Sequence, residues 1–559
     1  MNSTFKVVFN KARGALMVVN EVTSSVQGKG TKTVIATAVT ALMAGSALAA
    51  SVIPEVPSDV TVTTANTAWD KVQADGQYHF KNEGAQGAFT TVTEGKNAEF
   101  GGKLWVSAIG ANSDATGLNV NGKDVVVTNK GEIYVTTGKD GVEWKNEAIL
   151  ADNSAKVVNA GRIVVKNAYG MRVGTQATAT IENAGTIIVE EQGVGMELGG
   201  GDKSVDSVAT NNGSIIVGDI AQGKYGHGVL IKDAKDVVLN NNGLIQAGEG
   251  ATAIDVQLEK TSATINLGET SQIDGLIKIG EGTKVALNAK GMTGKLKVKA
   301  ADGTTTLNID SGSDVTLADR QGSVYESVNI ADGKLTASIW HDTNEYGEKK
   351  EQLQNDNKFK NVTVGEKGVF NITKLNSGGD KDQTKTNAKP HNTLLIKDMK
   401  LTLDGGALQV AGQNYTGALK VGMSSENGAD TLTINAGNYN FESLKVGNAS
   451  NNVVTVAGGS LTVGDVEITG KRHGKLALTG GTTSVNGSFT TVQGAIELNG
   501  GTLVTSGANL FAKGEEADAE YATTDAWKHV TATKGVVELT DTGFEYSLAD
   551  LKKGQELLK

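Results

Sequence analysis

Cysteine is absent from all 559 residues, so neither a disulfide framework nor a thiolate metal site can exist. Aromatic residues make up only 5% of the chain, too few for a conventional aromatic-rich core. Proline occurs three times, at Pro54, Pro57 and Pro390, whereas glycine occurs 72 times. Turns must therefore come from Gly, Asn and Asp, which suits many short strands joined by tight corners. Beyond residue 50 no apolar run is long enough to span a bilayer as a helix. Sequence spacing brings no nucleophile next to a base, and no G-x-S-x-G elbow occurs.

The one long apolar run lies near the start. Lys29 and Lys32 precede "TVIATAVTALMAGSALAA", which closes on Ala47-Leu48-Ala49 and places cleavage between Ala49 and Ala50. The apolar stretch, Thr33 to Leu48, is shorter than the roughly 20 residues a spanning helix needs. A secretory signal is therefore complete within residues 29–50, yet 28 residues stand in front of it. They are organised: Phe5, Val7 and Phe9 alternate with other residues, and Asn10-Lys11-Ala12-Arg13-Gly14 leads into "ALMVVNEV". With Asn2, Phe5, Val7, Val8, Phe9, Asn10, Arg13, Gly14, Val18, Val19 and Glu21, this segment resembles the extended signal peptide region (ESPR) of autotransporters, the large Gram-negative type V secretion proteins. Ser3 and Phe9 stand where that family usually has Lys and Trp. The resemblance covers residues 1–49. It implies handover to the Sec translocon slow enough that a long chain does not misfold in the periplasm, followed by passage through an outer-membrane barrel or its assembly machinery. Absence of Cys fits that route, since premature crosslinks in an oxidising periplasm would block a second crossing.

Five basic residues and one acidic residue precede Ala50, so the mature chain carries 47 basic against 61 acidic side chains, a net charge of −14. Nucleic acid, a polyanion, is disfavoured as a partner.

Internal repeats set the architecture. "VTNKGEIYV", "VVNAGRIVV", "IENAGTIIV", "ATNNGSIIV" and "LNNNGLIQA" align without gaps. They place Asn129, Gly131 and Ile133; Asn159, Gly161 and Ile163; Asn183, Gly185 and Ile187; Asn211, Gly213 and Ile215; and Asn241, Gly243 and Ile245 in equivalent positions. The glycines fall 30, 24, 28 and 30 residues apart. Ile and, two residues on, Val or Ala read as a half-buried strand, and Asn-x-Gly reads as the turn before it. A second array, "LTLDGGALQV", "LTINAGNYNF", "VTVAGGSLTV", "LALTGGTTSV" and "IELNGGTLVT", repeats at 31, 22, 22 and 20 residues. That period is too short for a propeller blade of about 40–45 residues. A parallel β-helix accounts for it: each coil lays short strands on the coil below, so Ile stacks on Ile and Asn on Asn. Residues 120–510 then hold about 16 coils over roughly 75 Å. Right-handedness is what the autotransporter resemblance implies.

The expected fold is all-β, a right-handed parallel β-helix, with a short helical signal region and a short C-terminal α/β tail. Its parts are the extended signal peptide (1–49), an N-terminal cap with the first coils (50–118), N-x-G coils (119–340), coils with polar insertions (341–393), GG coils (394–511) and the tail (512–559). The insertions "HDTNEYGEKKEQLQNDNK" and "KLNSGGDKDQTKTNAKPHN" are projecting loops, a usual seat of binding in solenoids. Ser547-Leu548-Ala549-Asp550 has the form of a capping box. The family ends in a membrane β-barrel, whereas this sequence ends in a charged segment at Lys559, so the expectation is either a longer natural chain or a separate pore protein.

Candidate chemistry is sparse. Ser311 or Ser313 in "IDSGSD" with His79 could resemble a serine protease set, but several repeats separate them. The six His residues have no metal spacing, Gly193-x-Gly195 falls between strands, and Asp380 and Asp382 lack a calcium loop. The expectations are no catalytic residues, no cofactor and no metal. The reading is a secreted or surface-displayed passenger, adhesin-like and not an enzyme, with an unidentified host-cell or matrix ligand. The rivals are an enzyme-bearing passenger and a two-partner or trimeric type V exoprotein. The former would need paired carboxylates on a groove face, which the sequence does not disclose. Two-partner proteins carry Asn-Pro-Asn motifs absent here, and the trimeric head-like "VSAIGANSDATG" occurs once.

Overall fold

The computed structural model describes residues 5–10, 15–20 and 53–551, apart from 84–85, 94–96, 109–113, 138–145, 175–177, 320, 340–356, 374–392, 423–429, 448–450, 470–473, 493, 513–525 and 548–549. Two units divide the chain, Met1–Ala49 and Ala50–Lys559.

In the first unit Phe5–Asn10 pairs antiparallel with Ala15–Asn20, Phe5 opposite Asn20 and Asn10 opposite Ala15. A hairpin thus stands where part of a helical signal region was expected. Period-two alternation of Phe5, Val7 and Phe9, with β-branched Val at four of the strand positions, favours an extended backbone over a helix. The apolar stretch 33–48 lies outside the described residues, as do the cleavage residues Ala49 and Ala50.

The second unit is a stack of parallel coils. One inward column runs through it without a break, from Ala98 to Val127, Val157, Ile181, Ala209, Leu239 and Ile265. It continues through Leu287, Leu307, Val328, Val362 and Leu401. Leu432, Val454, Leu476, Ile496 and Val530 complete it. The column contributes one residue per coil, and every pairing is parallel. The two sequence arrays are therefore one ladder, and coil stacking extends beyond 120–510 at both ends, from Thr61–Thr63 to Val530–Leu539.

A second inward column is the expected isoleucine stack. Ile133, Ile163, Ile187, Ile215 and Ile245 face one another in register and are fully buried. Tyr78 and Leu104 extend it below and Ile273 above. Each such side chain contributes about 1.5–3 kcal/mol on burial, and none could bury itself without the adjoining coils.

At the corner before this stack, Asn129, Asn159, Asn183, Asn211 and Asn241 are also fully buried. Each amide nitrogen donates to the next carbonyl oxygen, at 2.8, 2.8, 2.9 and 2.7 Å, and Asn241 donates to Ser271 Oγ at 2.6 Å. Buried amides survive here because the ladder satisfies them. The glycine two residues on serves close approach. A Cβ built on Gly161 would lie 2.1 Å from the Gly131 carbonyl oxygen, the same oxygen that accepts from the Arg162 N–H. In the second array Gly459 and Gly481 add a left-handed backbone, with φ of 63° and 60°.

The tail expected over 512–559 begins, among the described residues, with a single helical turn, Ala526–His529, before strand Val530–Leu539. Gly507–Leu510 is a helical turn capped by Ser506, and Val530–Leu539 pairs antiparallel with Phe544–Tyr546. Ser547 Oγ accepts from the Asp550 N–H at 3.1 Å and donates to the Asp550 carboxylate, closing the capping box.

Candidate functional site

A second column of small residues crosses the stack: Gly117, Ala148, Gly170, Gly195, Gly228 and Ala253. A Cβ on Gly117, Gly170, Gly195 or Gly228 would lie 2.5–2.6 Å from the carbonyl oxygen of the next coil, so only minimal side chains fit. Two further columns flank it. On one side stand Thr116, Glu147, Tyr169, Val194, His227 and Thr252. On the other stand Leu150, Arg172, Glu197, Leu230, Asp255 and Lys278. Tyr169, Val194 and Leu230 form an apolar cluster separate from the main core, and between and around them the charged residues meet.

Arg172 joins two carboxylates: its Nη1 lies 3.3 Å from Glu147 Oε2 and its Nε 3.1 Å from Glu197 Oε2. Lys232 Nζ reaches Glu197 Oε1 at 3.3 Å, and Thr116 donates to Glu147 Oε1 at 2.6 Å. Arg172 also lies 5.7 Å from the Tyr169 ring centre. Further along, Asp255 receives His227 Nδ1 at 3.5 Å, Lys278 Nζ at 3.6 Å and a hydrogen bond from Gln257 at 2.7 Å. His227 Nδ1 also lies 2.5 Å from Thr252 Oγ1. Glu147, Glu197 and Asp255 are at most 1% exposed.

Burial sets the electrostatics. It pushes the Glu147 and Glu197 carboxyls above the ordinary glutamate value, while Arg172 pulls both back and Lys232 helps at Glu197. Burial also lowers His227, against the attraction of Asp255. A cavity of about 440 Å³ opens at the Glu147–Arg172 end, lined also by Gln86, Asp114, Asn119 and Asp152. The strip can hold polar or charged groups and, at Glu147, can donate or accept a proton.

Sequence reasoning did not find this strip. Its signal is a triplet repeated once per coil, small–apolar–X: Gly170-Met171-Arg172, Gly195-Met196-Glu197, Gly228-Val229-Leu230 and Ala253-Ile254-Asp255. In these four coils X is Arg, Glu, Leu and Asp, so no motif appears.

The other candidates fall elsewhere. His79 Nε2 lies 3.0 Å from Ser107 Oγ, while Ser313 is buried in a different coil. Gly193 and Gly195 sit inside the strand Thr186–Val205. No group of three His, Asp or Glu among the described residues could hold a metal ion. The polar insertions, with Asp380 and Asp382, lie outside the described residues. Next to the first of them, Ile339, Lys358 and Phe359 line a second cavity, of about 480 Å³, with Asp302, Glu326 and Lys360.

Within the leader, Phe5, Val7, Val8, Phe9 and Asn10 fall on one hairpin strand and Val18 and Val19 on the other. Asn2, Arg13, Gly14 and Glu21 lie outside the described residues. Residues 1–50 match the family described as Extended Signal Peptide of Type V secretion system. The leader is an extended signal peptide of type V secretion. The chain is accordingly a type V secreted protein, exported through Sec, and its route involves outer-membrane barrel machinery. Comparison with characterised proteins and with solved structures finds no match.

Proposed function

We propose that residues 50–559 are an autotransporter passenger, displayed at the outer membrane surface or released, that binds host cells or matrix by polyvalent contact. The observation that carries this reading is repetition on the outer surface. Beside the inward column, Asn240, Asn266, Asn288, Asn308 and Asn329 form a second, partly exposed amide ladder with bonds of 2.7–2.9 Å. Thr363, Thr402, Thr433 and Thr455 continue it in register. Like groups recur at each coil step of about 4.8 Å, so a repeating ligand meets the same contact many times, and weak contacts multiply.

Purified Ala50–Lys559 is expected to attach to epithelial cells or immobilised matrix, with no turnover in a broad glycan, ester and peptide hydrolase screen. Deleting 340–356 and 374–392 tests the loops: lost attachment places binding there, and unchanged attachment places it on the coil faces. Absence of attachment to any surface overturns the reading.

A second reading rests on the strip itself. Glu147 lines a cavity and is joined through Arg172 to the buried Glu197, a carboxylate pair of the kind a glycan-cleaving β-helix would use. Hydrolysis abolished by Glu147→Gln would replace binding with catalysis.

A further inference from the structure

Several lysines in this fold are answered by an acid one coil away. Lys103 meets Glu132, Lys130 meets Glu99, Lys166 meets Glu191, Lys334 meets Asp314, Lys445 meets Glu467 and Lys475 meets Glu497, at 2.5–3.7 Å. Such cross-strand pairs are the ordinary way a sheet accommodates charge. One strand gathers three lysines without such an answer. Thr293–Ala300 buries Leu296, Val298 and Ala300 and turns Lys295, Lys297 and Lys299 outward, all exposed. Among the described residues no carboxylate lies within ion-pair distance of any of the three. Their neighbours across the ladder are Thr316, Leu276 and Lys278. Asp274, on the preceding strand, takes a hydrogen bond from Gln246 instead.

Lys278 sits directly opposite Lys299, and like charges in that position cost stability. Asp255 offsets part of this cost, with its carboxylate 3.6 Å from Lys278 Nζ. Alternate residues along a strand are about 6.6 Å apart and coils about 4.8 Å apart. Four lysines on two adjacent strands thus form a cationic patch on a mature chain (Ala50–Lys559) of net charge −14.

We propose that Lys278, Lys295, Lys297 and Lys299 form a docking surface for a linear acidic polysaccharide. The row has no aromatic side chain on which a base could stack, as single-stranded nucleic acid binding requires. It also lacks the Trp or Tyr anchors of a protein interface. A line of flexible cations suits a ligand that carries carboxylate or sulfate groups at intervals along an extended chain. The proposal deepens the binding reading by naming a ligand class, and its test uses purified components so that the two can fail separately.

The test compares Ala50–Lys559, the triple variant Lys295→Gln/Lys297→Gln/Lys299→Gln, and a control triple, Lys103→Gln/Lys130→Gln/Lys445→Gln, with the same charge change. Binding is measured to alginate, to dextran sulfate, to phosphatidylglycerol vesicles and to single-stranded DNA, and thermal midpoints check that all three proteins fold. The expected result is polysaccharide binding that weakens as salt rises, falls about tenfold in the first variant and is unchanged in the control. Failure to bind either polysaccharide overturns the proposal. So does equal loss in both variants, which would reduce the effect to net charge. Tighter, Lys295–Lys299-dependent binding to vesicles or DNA would assign the patch to another ligand class and overturn it as well. Loss of cell attachment with polysaccharide binding intact would overturn the adhesin reading alone.

Discussion

At the residue scale, the corner of each N-x-G coil joins two requirements that single substitutions separate. Gly161 is needed because the preceding coil's backbone passes where a Cβ would sit, 2.1 Å from the Gly131 oxygen. Gly161→Ala should therefore cost about 1–3 kcal/mol through forced backbone shifts, read as a lowered urea midpoint. Asn183 is needed for connectivity: it accepts from Asn159 and donates to Asn211. Asn183→Ala strands a donor on one side and an acceptor on the other, about 1–3 kcal/mol for each buried group left unpaired. Asn183→Asp separates the two roles. A carboxylate can still accept from Asn159 but cannot donate to Asn211, so this variant should recover stability as the pH is lowered and the carboxyl protonates. An Asp variant no more stable in acid than the Ala variant would show that donation to Asn211 contributes little.

Elements in this protein are strands, most of them short, whose meaning depends on their position in a coil, and this decides what could be read in advance. The Ile133–Ile245 stack and the Asn129–Asn241 ladder were legible because the same residue type recurs at each coil. The Glu147–Glu197–Asp255 strip was not, because stacking there requires only small residues at Gly170, Gly195 and Gly228 and leaves the neighbouring position free to vary. The hairpin Phe5–Asn10/Ala15–Asn20 was half legible: its alternation was visible, but a signal region carries a helical prior. The strip makes a pH prediction. Burial raises the folded-state value of Glu197 above the ordinary 4.5, so the folded protein holds that proton to higher pH than the unfolded chain does. Its contribution is then full below about pH 4.5 and falls as pH rises through the window up to the raised value. Glu197→Gln, which cannot ionise, should remove that fall. The stability of the native protein relative to Glu197→Gln should decrease as pH rises above about 4.5, measured from urea midpoints. A difference that increases would mean Arg172 and Lys232 outweigh burial.

For the whole molecule, the consequence of a ladder built one coil at a time is that each coil exposes parallel strand edges until the next one docks. Solenoids nucleate anywhere and propagate through neighbours, and unpaired strand edges recruit other chains. A partly folded chain in the periplasm is therefore exposed to two hazards, aggregation and a folded plug too wide for an outer-membrane pore. Delivery matched to the rate of outer-membrane passage limits both, which gives the 28 residues ahead of the signal a physical role. Deleting residues 2–28 leaves Lys29, Lys32, the apolar stretch 33–48 and the Ala47-Leu48-Ala49 site in place. That variant should still cross the inner membrane and be cut after Ala49, as N-terminal mass analysis would show. Protease-resistant coils should then accumulate in the periplasmic fraction, with correspondingly less protein reaching the cell exterior. The resistance follows from the continuous core running from Ala98 to Val530, which once stacked presents few extended segments to a protease. If the deletion abolished inner-membrane crossing altogether, residues 29–50 would not be a self-sufficient signal and the leader would act as one piece.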